Sequence, residues 1–338
     1  MRKQSIRILL CSILGASLAS GVLAQDDPLT LYSGRNEELI APLIEQFTET
    51  TGIPVNVLYG DTAALANQIL EEGENSPADV FLAQDAGALG ALENLNMLTD
   101  LPESILIAVP DVFRSPLEQW VGISGRARVL VYNPAFVEEL GLELPDSITD
   151  LTDPAYAGLV GWAPSNASFQ ANMTALRVLL GEEAASQWLA DMVANGAVSF
   201  GSSNTNLNQA VASGEIPMGI TNHYYMFRIL AQDPEASIAQ HFFPAGDPGS
   251  LINVAGAGIL ATSDQPEPAL EFISYLLSPI AQQYFTTSTY EYPLVEGVIV
   301  NPALTPFASI TQPDINLSDL ADLQTTLEMI EASGALDE

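Results

Sequence analysis

The stretch LTLYSGRNEELIAPLIEQFTETTGIPVNVLY (29–59) decides how the fold is read. Leu29 to Tyr32 is a short β-like run. Leu39, Leu43, Ile44 and Phe47 then recur at helical spacing, which predicts an amphipathic helix with one buried face. Gly52 ends that helix, and Pro54 to Tyr59 reads as the next strand. The pattern continues outward from there. Leu65, Ile69 and Leu70 mark a second helix ending near Gly73, Ala78 to Ala83 a third strand, and Ala86 to Leu95 a third helix. A β-α-β-α-β rhythm predicts a parallel sheet with helices on both faces.

A second block behaves in the same way. Ala127 to Tyr132, Leu159 to Trp162 and Met218 to Thr221 read as strands, and Phe169 to Leu180 and Glu183 to Ala194 as helices. Val254 to Leu260 looks like a return strand, followed by a helix from Pro268 to Leu277. Two α/β lobes connected by strands suit hinge closure around a small ligand. Trp120, Trp162 and Trp188 are expected in the core.

The N-terminus reads as a secretory signal peptide over residues 1–24, cleaved near Ala24. Arg2, Lys3 and Arg7 precede an apolar or small-residue run from Ile8 to Ala24, and Gln25-Asp26-Asp27 follows. The expected location is therefore periplasmic or otherwise extracytoplasmic, with no membrane insertion after cleavage. Cleavage would remove Cys11, the only cysteine, and with it any disulfide or thiolate metal site. It would also leave 42 acidic residues against six arginines and no lysine. Such a balance excludes nucleic acid as a partner, because phosphate neutralisation needs a basic face. It disfavours anionic membrane surfaces and suits a saline medium, where screening limits self-repulsion. In a chain so poor in cations, every arginine is informative.

The most informative local feature is Thr221-Asn-His-Tyr-Tyr-Met-Phe227, with adjacent Tyr224 and Tyr225. On a strand, neighbouring side chains diverge; at a turn or helix start, two phenols can converge. A phenolate is a hard anionic oxygen suited to ferric iron, and tyrosine is a known iron ligand. The plainer alternative is a half-buried pair with wet hydroxyls.

Other segments bear on the choice: Leu31-Tyr-Ser-Gly-Arg-Asn-Glu-Glu38, Pro77-Ala-Asp-Val-Phe-Leu-Ala-Gln84, Ser124-Gly-Arg-Ala-Arg-Val-Leu-Val-Tyr-Asn133, Ser213-Gly-Glu-Ile216, Asn222-His-Tyr-Tyr225, Asp247-Pro-Gly249 and Tyr290-Glu-Tyr-Pro-Leu294. In this order they resemble the periplasmic ferric-ion-binding proteins, the solute-binding components of ABC iron importers. The resemblance spans nearly all of the chain after the signal segment. It implies a type II periplasmic-binding-protein fold, two α/β lobes with a ligand cleft between them and hinge strands joining them. The expected division is 27–125 plus 255–300 for the first lobe and 126–254 for the second. A C-terminal helical segment, 301–338, is expected to pack on both. The resemblance also implies Fe(3+) held by Tyr224 and Tyr225, a synergistic carbonate or phosphate, delivery to an ABC permease and its ATPase, and a monomer.

The chain departs from that family's usual ligand set. Asn36 stands where many members carry a histidine, Gln84 where many carry a glutamate, and Ser165-Asn-Ala-Ser-Phe169 where one branch carries a third tyrosine. Two phenolates leave a ferric ion with open positions, which a small oxyanion would fill. Candidates to hold that anion are Arg126 and Arg35, whose guanidinium forks suit bidentate oxyanions. Helix N-terminal amides over Ser165, Asn166, Ala167 and Ser168 could add donors, and Asn204 and Asn222 match family positions near the anion. Arg35, Arg126 and Arg128 read alternatively as surface ion pairs. Asp85 is a carboxylate ligand or the N-cap of the following helix. Asn36 equally reads as an N-cap with Glu37 and Glu38 behind it. His223 is not expected to be a ligand, and His241 is expected at the surface.

Two other functions compete. The same architecture would hold an organic anion or a polyamine instead of iron. A cleft hydrolase lacks support: there is no Gly-x-Ser-x-Gly elbow, no His-Glu-x-x-His, no P-loop and no dinucleotide fingerprint, and only two histidines. The chain is expected not to be an enzyme.

Overall fold

The structure, a computed structural model, describes residues 27–336. The signal segment 1–24 expected above lies outside the described residues. The strands are β1 (Leu29–Ser33), β2 (Val55–Tyr59), β3 (Val80–Ala83), β4 (Val121–Tyr132), β5 (Val160–Trp162), β6 (Val198–Ser199), β7 (Met218–Asn222), β8 (Ala239–His241), β9 (Ile252–Ile259) and β10 (Tyr292–Pro293). No described helix is long and apolar enough to cross a membrane.

The first helix, Glu37–Thr51, shows how local chemistry builds the lobe. The Asn36 side chain accepts the Glu38 backbone N–H, and Glu37 and Glu38 sit at the positive end of the helix. Gly52 ends it at φ 81°, a conformation that favours glycine. The buried face is Ile40, Leu43, Ile44 and Phe47. Leu39, expected on that face, instead borders the interlobe cleft.

The expectation of a parallel sheet holds only within each lobe. β1 pairs in parallel with β2 and β3, and β5 in parallel with β6 and β7. Between these groups lie β9 and β4, both antiparallel to their neighbours, giving the order β2-β1-β3-β9-β4-β7-β5-β6. The physical reason is the return of the chain. A crossover helix makes its two strands parallel, whereas β9 re-enters the first lobe from the second and runs against β3. That pairing joins residues far apart in sequence, so local periodicity does not show it.

β4 is the element that joins the lobes. Its first half, Val121 to Ala127, pairs with β9; its second half, Arg128 to Tyr132, pairs with β7, and Leu130 to Tyr132 with β8. The exchange of partners falls between Ala127 and Arg128. The backbone of Arg128 donates to the carbonyl of Leu251 as the chain enters β9, so two strands cross together. Gly122 and Gly125 lie in the first half, where a Cβ would meet the Phe113 carbonyl at 2.6 Å and the Leu294 side chain at 3.2 Å.

Separate apolar clusters fill the lobes. Trp120 lies in the first-lobe core; Trp162 packs edge-on against Phe169 and Trp188 in the second. The C-terminal segment is only partly helical. Its short turn Leu317–Ala321 lies on the helix Ala86–Asn94, and its helix Leu323–Ala332 on the helix Ala167–Leu180. Arg177 anchors the second contact through Asp322 at 2.8 Å and also pairs with Glu182 of its own lobe at 2.7 Å.

Candidate functional site

The site begins where β7 ends. After Asn222 the chain turns through His223 into the helix Tyr224–Gln232, so both tyrosines occupy its first turn. Successive residues of a helix start diverge by about 100° rather than pointing to opposite faces. The two rings accordingly lie side by side, with centroids 4.5 Å apart and 33° between planes. Tyr224 is buried and Tyr225 half-buried, and the helix N-terminus adds positive potential near both oxygens.

Both phenols border a cavity of about 270 Å³ lined by both lobes. From the first lobe come Asn36, Asp61, Thr62 and Gln84; from the second, Ser165 to Ser168, Thr205 and Arg228. A larger depression of about 600 Å³ on the second lobe, rimmed by Glu143, Asp146, Asp150 and Asp153, contains no arginine and neither of these tyrosines. The chemistry therefore belongs to the smaller, interlobe cavity.

The neighbours of the tyrosines are fixed by a chain of hydrogen bonds. Asn222 Nδ2 donates to Ser168 Oγ (3.1 Å) and to Tyr224 Oη (3.4 Å), and Asn222 Oδ1 accepts from Arg128 Nη1 (3.0 Å). His223 is fully enclosed. Its Nδ1 accepts the Ala127 backbone N–H (3.2 Å), and its Nε2–H donates to the Tyr290 carbonyl (2.8 Å). Both ring nitrogens are thus committed, which removes it as a ligand. Burial pushes its pKa down to about 4. His241 is half-buried and donates to the Pro145 carbonyl rather than standing free at the surface.

The arginines are not surface residues. Arg35, Arg126 and Arg128 are each 2% exposed. The surface reading fails because all three face inward from β4 or from the loop after β1. Arg35 ion-pairs with Glu291 at 2.6 Å and donates to Gln84 Oε1 at 2.9 Å. Glu291 is fully buried; burial pushes its carboxyl up, but Arg35, Arg126 and the Ser124 hydroxyl hold it below the usual range. Arg126 has no partner for Nε or Nη1, and Arg128 none for Nε or Nη2. Burial lowers the pKa of both, to about 10 for Arg128, and the nearby Tyr224 offsets part of this in each. Burial is also the main cause raising Tyr225 far above an ordinary phenol, followed by the neighbouring Tyr224; Arg228 pulls it back.

The remaining predicted residues divide. Asn204 is buried beside Tyr225 with both amide atoms unbonded. The N-terminal amides of the helix Ala167–Leu180 are largely spent: Ser165 N–H donates to Gly201, Asn166 N–H to Ala163, and Ser168 N–H to the Asn166 side chain. Asp85 does not reach the cleft. It occupies the N-cap position of the helix Ala86–Asn94, without a side-chain capping bond of normal geometry, and borders a separate small void with Leu320 and Leu323. Burial raises its carboxyl despite Arg126 nearby.

Asp61, Thr62 and Thr205 of the cavity wall escaped the sequence reading, as did Arg228 and Glu291. Arg228 lies over both phenol rings, its guanidinium carbon 4.8 Å from the Tyr224 centroid and 5.4 Å from that of Tyr225. Its spacing of four from Tyr224 on a helix start was the available signal. Glu291 sat inside a quoted motif, but its partner Arg35 is 256 positions away. Among the described residues, no group of three or more His, Cys, Asp or Glu side chains stands together as a metal site.

Residues 33–283 match the family model described as bacterial extracellular solute-binding protein. The chain is 32% identical over 327 residues to the Fe(3+)-binding periplasmic protein of Serratia marcescens, covering 96% of each chain. It is 34% identical over 304 residues to iron uptake protein A1 of Synechocystis, covering 88% of this chain and 84% of that one. Among solved structures, iron-bound HitA from Pseudomonas aeruginosa superposes with a TM-score of 0.85 at 33% identity, covering 91% of this chain and 99% of that one.

Proposed function

Because the chain belongs to the bacterial extracellular solute-binding protein family, we propose that it captures ferric iron between its lobes for import. It is a binding protein and not an enzyme, as its relatives are. The observation that carries this reading is the pair of adjacent phenols at the interlobe cavity, backed by two buried arginines with free nitrogens.

In this reading Tyr224 and Tyr225 each give up a proton and bind iron as phenolates. A trivalent cation favours that ionisation strongly. Two phenolates leave a ferric centre of net positive charge with open positions. A carbonate or phosphate occupies them, held by Arg126, Arg128 and the Asn222–Ser168 pair, with Asn204 supplying a further amide. Asn36 and Gln84 face the same cavity from the opposite lobe and contribute neutral contacts. Arg35, neutralised by Glu291, orients Gln84. Lobe closure then presents a loaded surface to an ABC permease, with release on reopening. The protein acts outside the cytoplasm, after removal of residues 1–24. A polyamine does not fit this cavity, whose described walls carry Asp61 as their only carboxylate and Arg228 as a cation.

The test is a ferric titration of the protein beginning after Ala24, in bicarbonate or phosphate. A phenolate-to-iron charge-transfer band at one iron per chain is expected. Tyr224→Phe and Tyr225→Phe should each weaken binding more than about a hundredfold, beyond the 10–100-fold typical of losing an outer-shell partner. A colourless protein with no heat of binding would defeat the reading.

A further inference from the structure

We infer that the C-terminal segment is a strap that holds the two lobes in their iron-binding arrangement before iron arrives, and that Arg177 is the positioning residue on which it fastens. This rests on the reading that iron is bound in the interlobe cavity.

The strap grips two helices that both begin at that cavity. The helix Ala86–Asn94 starts just after Gln84 of the first-lobe wall, and the helix Ala167–Leu180 starts within Ser165 to Ser168 of the second-lobe wall. On the first helix, the turn Leu317–Ala321 lies so close that a Cβ at Gly87 would stand 2.5 Å from the Leu320 carbonyl, and one at Gly90 2.8 Å from that of Ser318. Leu317 and Leu320 are buried in the first-lobe core. Ser318 Oγ donates to Glu93 (3.0 Å) and accepts from Trp120 Nε1 (3.3 Å). On the second helix, Arg177 takes hold of the very next residue. Its Nη2 donates to the Asp322 carboxylate (2.8 Å), and its Nη1 to the Asp322 carbonyl (2.7 Å) and to Thr326 Oγ1 (2.8 Å). Ile330 then enters the second-lobe core.

No spare residue separates the two grips. Ala321 belongs to one and Asp322 to the other, so a rotation of the lobes about the hinge strands finds no slack and must loosen one of them. The void where Gly87, Ala88, Ala167, Ala171, Leu320 and Leu323 meet is only about 20 Å³. Across the cavity, by contrast, no hydrogen bond or ion pair among the described residues links the first-lobe wall to the second-lobe wall. His223 and Phe227 do meet Tyr290 of the first lobe, but beside the point where β4 changes partners. The strap is thus the contact that ties one cavity helix to the other. When the competent arrangement is only partly populated, apparent affinity falls by that fraction. A strap that keeps it populated removes the loss.

The experiment uses the protein beginning after Ala24 and two variants, one for each grip. Asp322→Asn weakens the hold of Arg177, yet the asparagine still caps the helix Leu323–Ala332, and Glu182 still pairs with the guanidinium. Gly87→Ala drives a methyl against the Leu320 carbonyl, while alanine favours the helix Ala86–Asn94 itself. Thermal unfolding of the apo variants checks that they fold. Small-angle X-ray scattering should show a larger radius of gyration for each apo variant than for apo wild type, and iron should return all of them to one value. Each variant should bind ferric iron about three- to tenfold more weakly, the factor by which the competent fraction falls. That factor should be the same in bicarbonate and in phosphate, with the charge-transfer band unchanged, because the ligands themselves are untouched. An apo radius unchanged in both variants, or an enlarged one with unchanged affinity, overturns the inference while leaving iron capture intact. No iron bound by the wild type overturns both.

Discussion

Iron affinity should fall by about a hundredfold for each pH unit below 8. A free tyrosine titrates near 10, and burial pushes Tyr225 well above that value. Binding through both oxygens at neutral pH therefore expels two protons, and each contributes a tenfold change in apparent affinity per pH unit, or about 1.4 kcal/mol. From pH 8 to pH 6 the loss should reach about 10⁴-fold. The assay is competition against a chelator of known ferric affinity at each pH, with the free concentration of the fully deprotonated anion held constant. A pH-indicator titration in weak buffer counts the protons directly, once the proton given up by the anion itself is subtracted. Tyr225→Phe serves as the internal control, because it should reduce the slope from two protons per iron to one as well as weakening binding. A wild-type slope below one would mean that the metal is not held by two phenolates, whatever colour the complex shows.

Arg126→Met should act with opposite sign on the two states. The apo protein should gain about 1–3 kcal/mol in urea unfolding, since a buried, incompletely bonded cation is replaced by an apolar side chain. The anion concentration needed for half-maximal iron binding should rise at least about tenfold. Glu291→Gln should destabilise the apo protein by about 3–5 kcal/mol, because Arg35 loses its only buried counter-charge; equal unfolding midpoints would show the pair to be dispensable. His223 is neutral when buried, with its pKa pushed down to about 4 against 6.5 unfolded. The unfolded chain thus binds the extra proton between those values, and stability falls as pH drops from 6.5 to 4. The loss should be about 3 kcal/mol, and His223→Asn should show a correspondingly flatter acid profile.

Much of the fold was legible because its units are local. The helix Glu37–Thr51 announces itself through spacing, an Asn36 cap and Gly52 at its end, and the helices expected from Ala86, Phe169, Glu183 and Pro268 begin within two residues of those positions, whereas the helix Asn204–Ser213 was not read. The antiparallel middle of the sheet was not legible. Gly122 and Gly125 interrupt the apolar run of β4, so only its second half read as a strand. Those glycines answer to Phe113, Tyr292 and Leu294, contacts that exist only after folding. The same division applies to the site. Two tyrosines in tandem are visible in one dimension. That Arg126 and Arg128 face inward is not, because alternation along β4 predicts only that they share a face, and in so acidic a chain a surface ion pair was the ready assumption. Arg228 belongs to a different class of omission: its spacing from Tyr224 was readable, yet nothing in the sequence fixes where helix Tyr224–Gln232 starts, and the stacking depends on that start.

The concentration of cations around one cavity has a kinetic consequence. With 42 carboxylates and few positive charges, the protein repels any anionic iron complex at a distance. Arg126 and Arg128 are buried, so their field is felt only at the mouth of the cleft. Salt acts on these two effects unequally. The screening length falls from about 10 Å at 0.1 M to about 3 Å at 1 M, which removes the long-range repulsion, while buried charges within a few ångströms of the ligand are screened much less. The association rate of ferric citrate should therefore rise with salt, the reverse of the usual behaviour for an anion entering an arginine-lined site. Stopped-flow absorbance at the charge-transfer band, between 0.1 and 1 M sodium chloride, reads this directly. An increase of several-fold or more is expected, with a smaller change in the dissociation rate. A rate that falls with salt would mean that the local positive field reaches beyond the cleft and governs capture, and the acidic surface would then be irrelevant to how iron arrives.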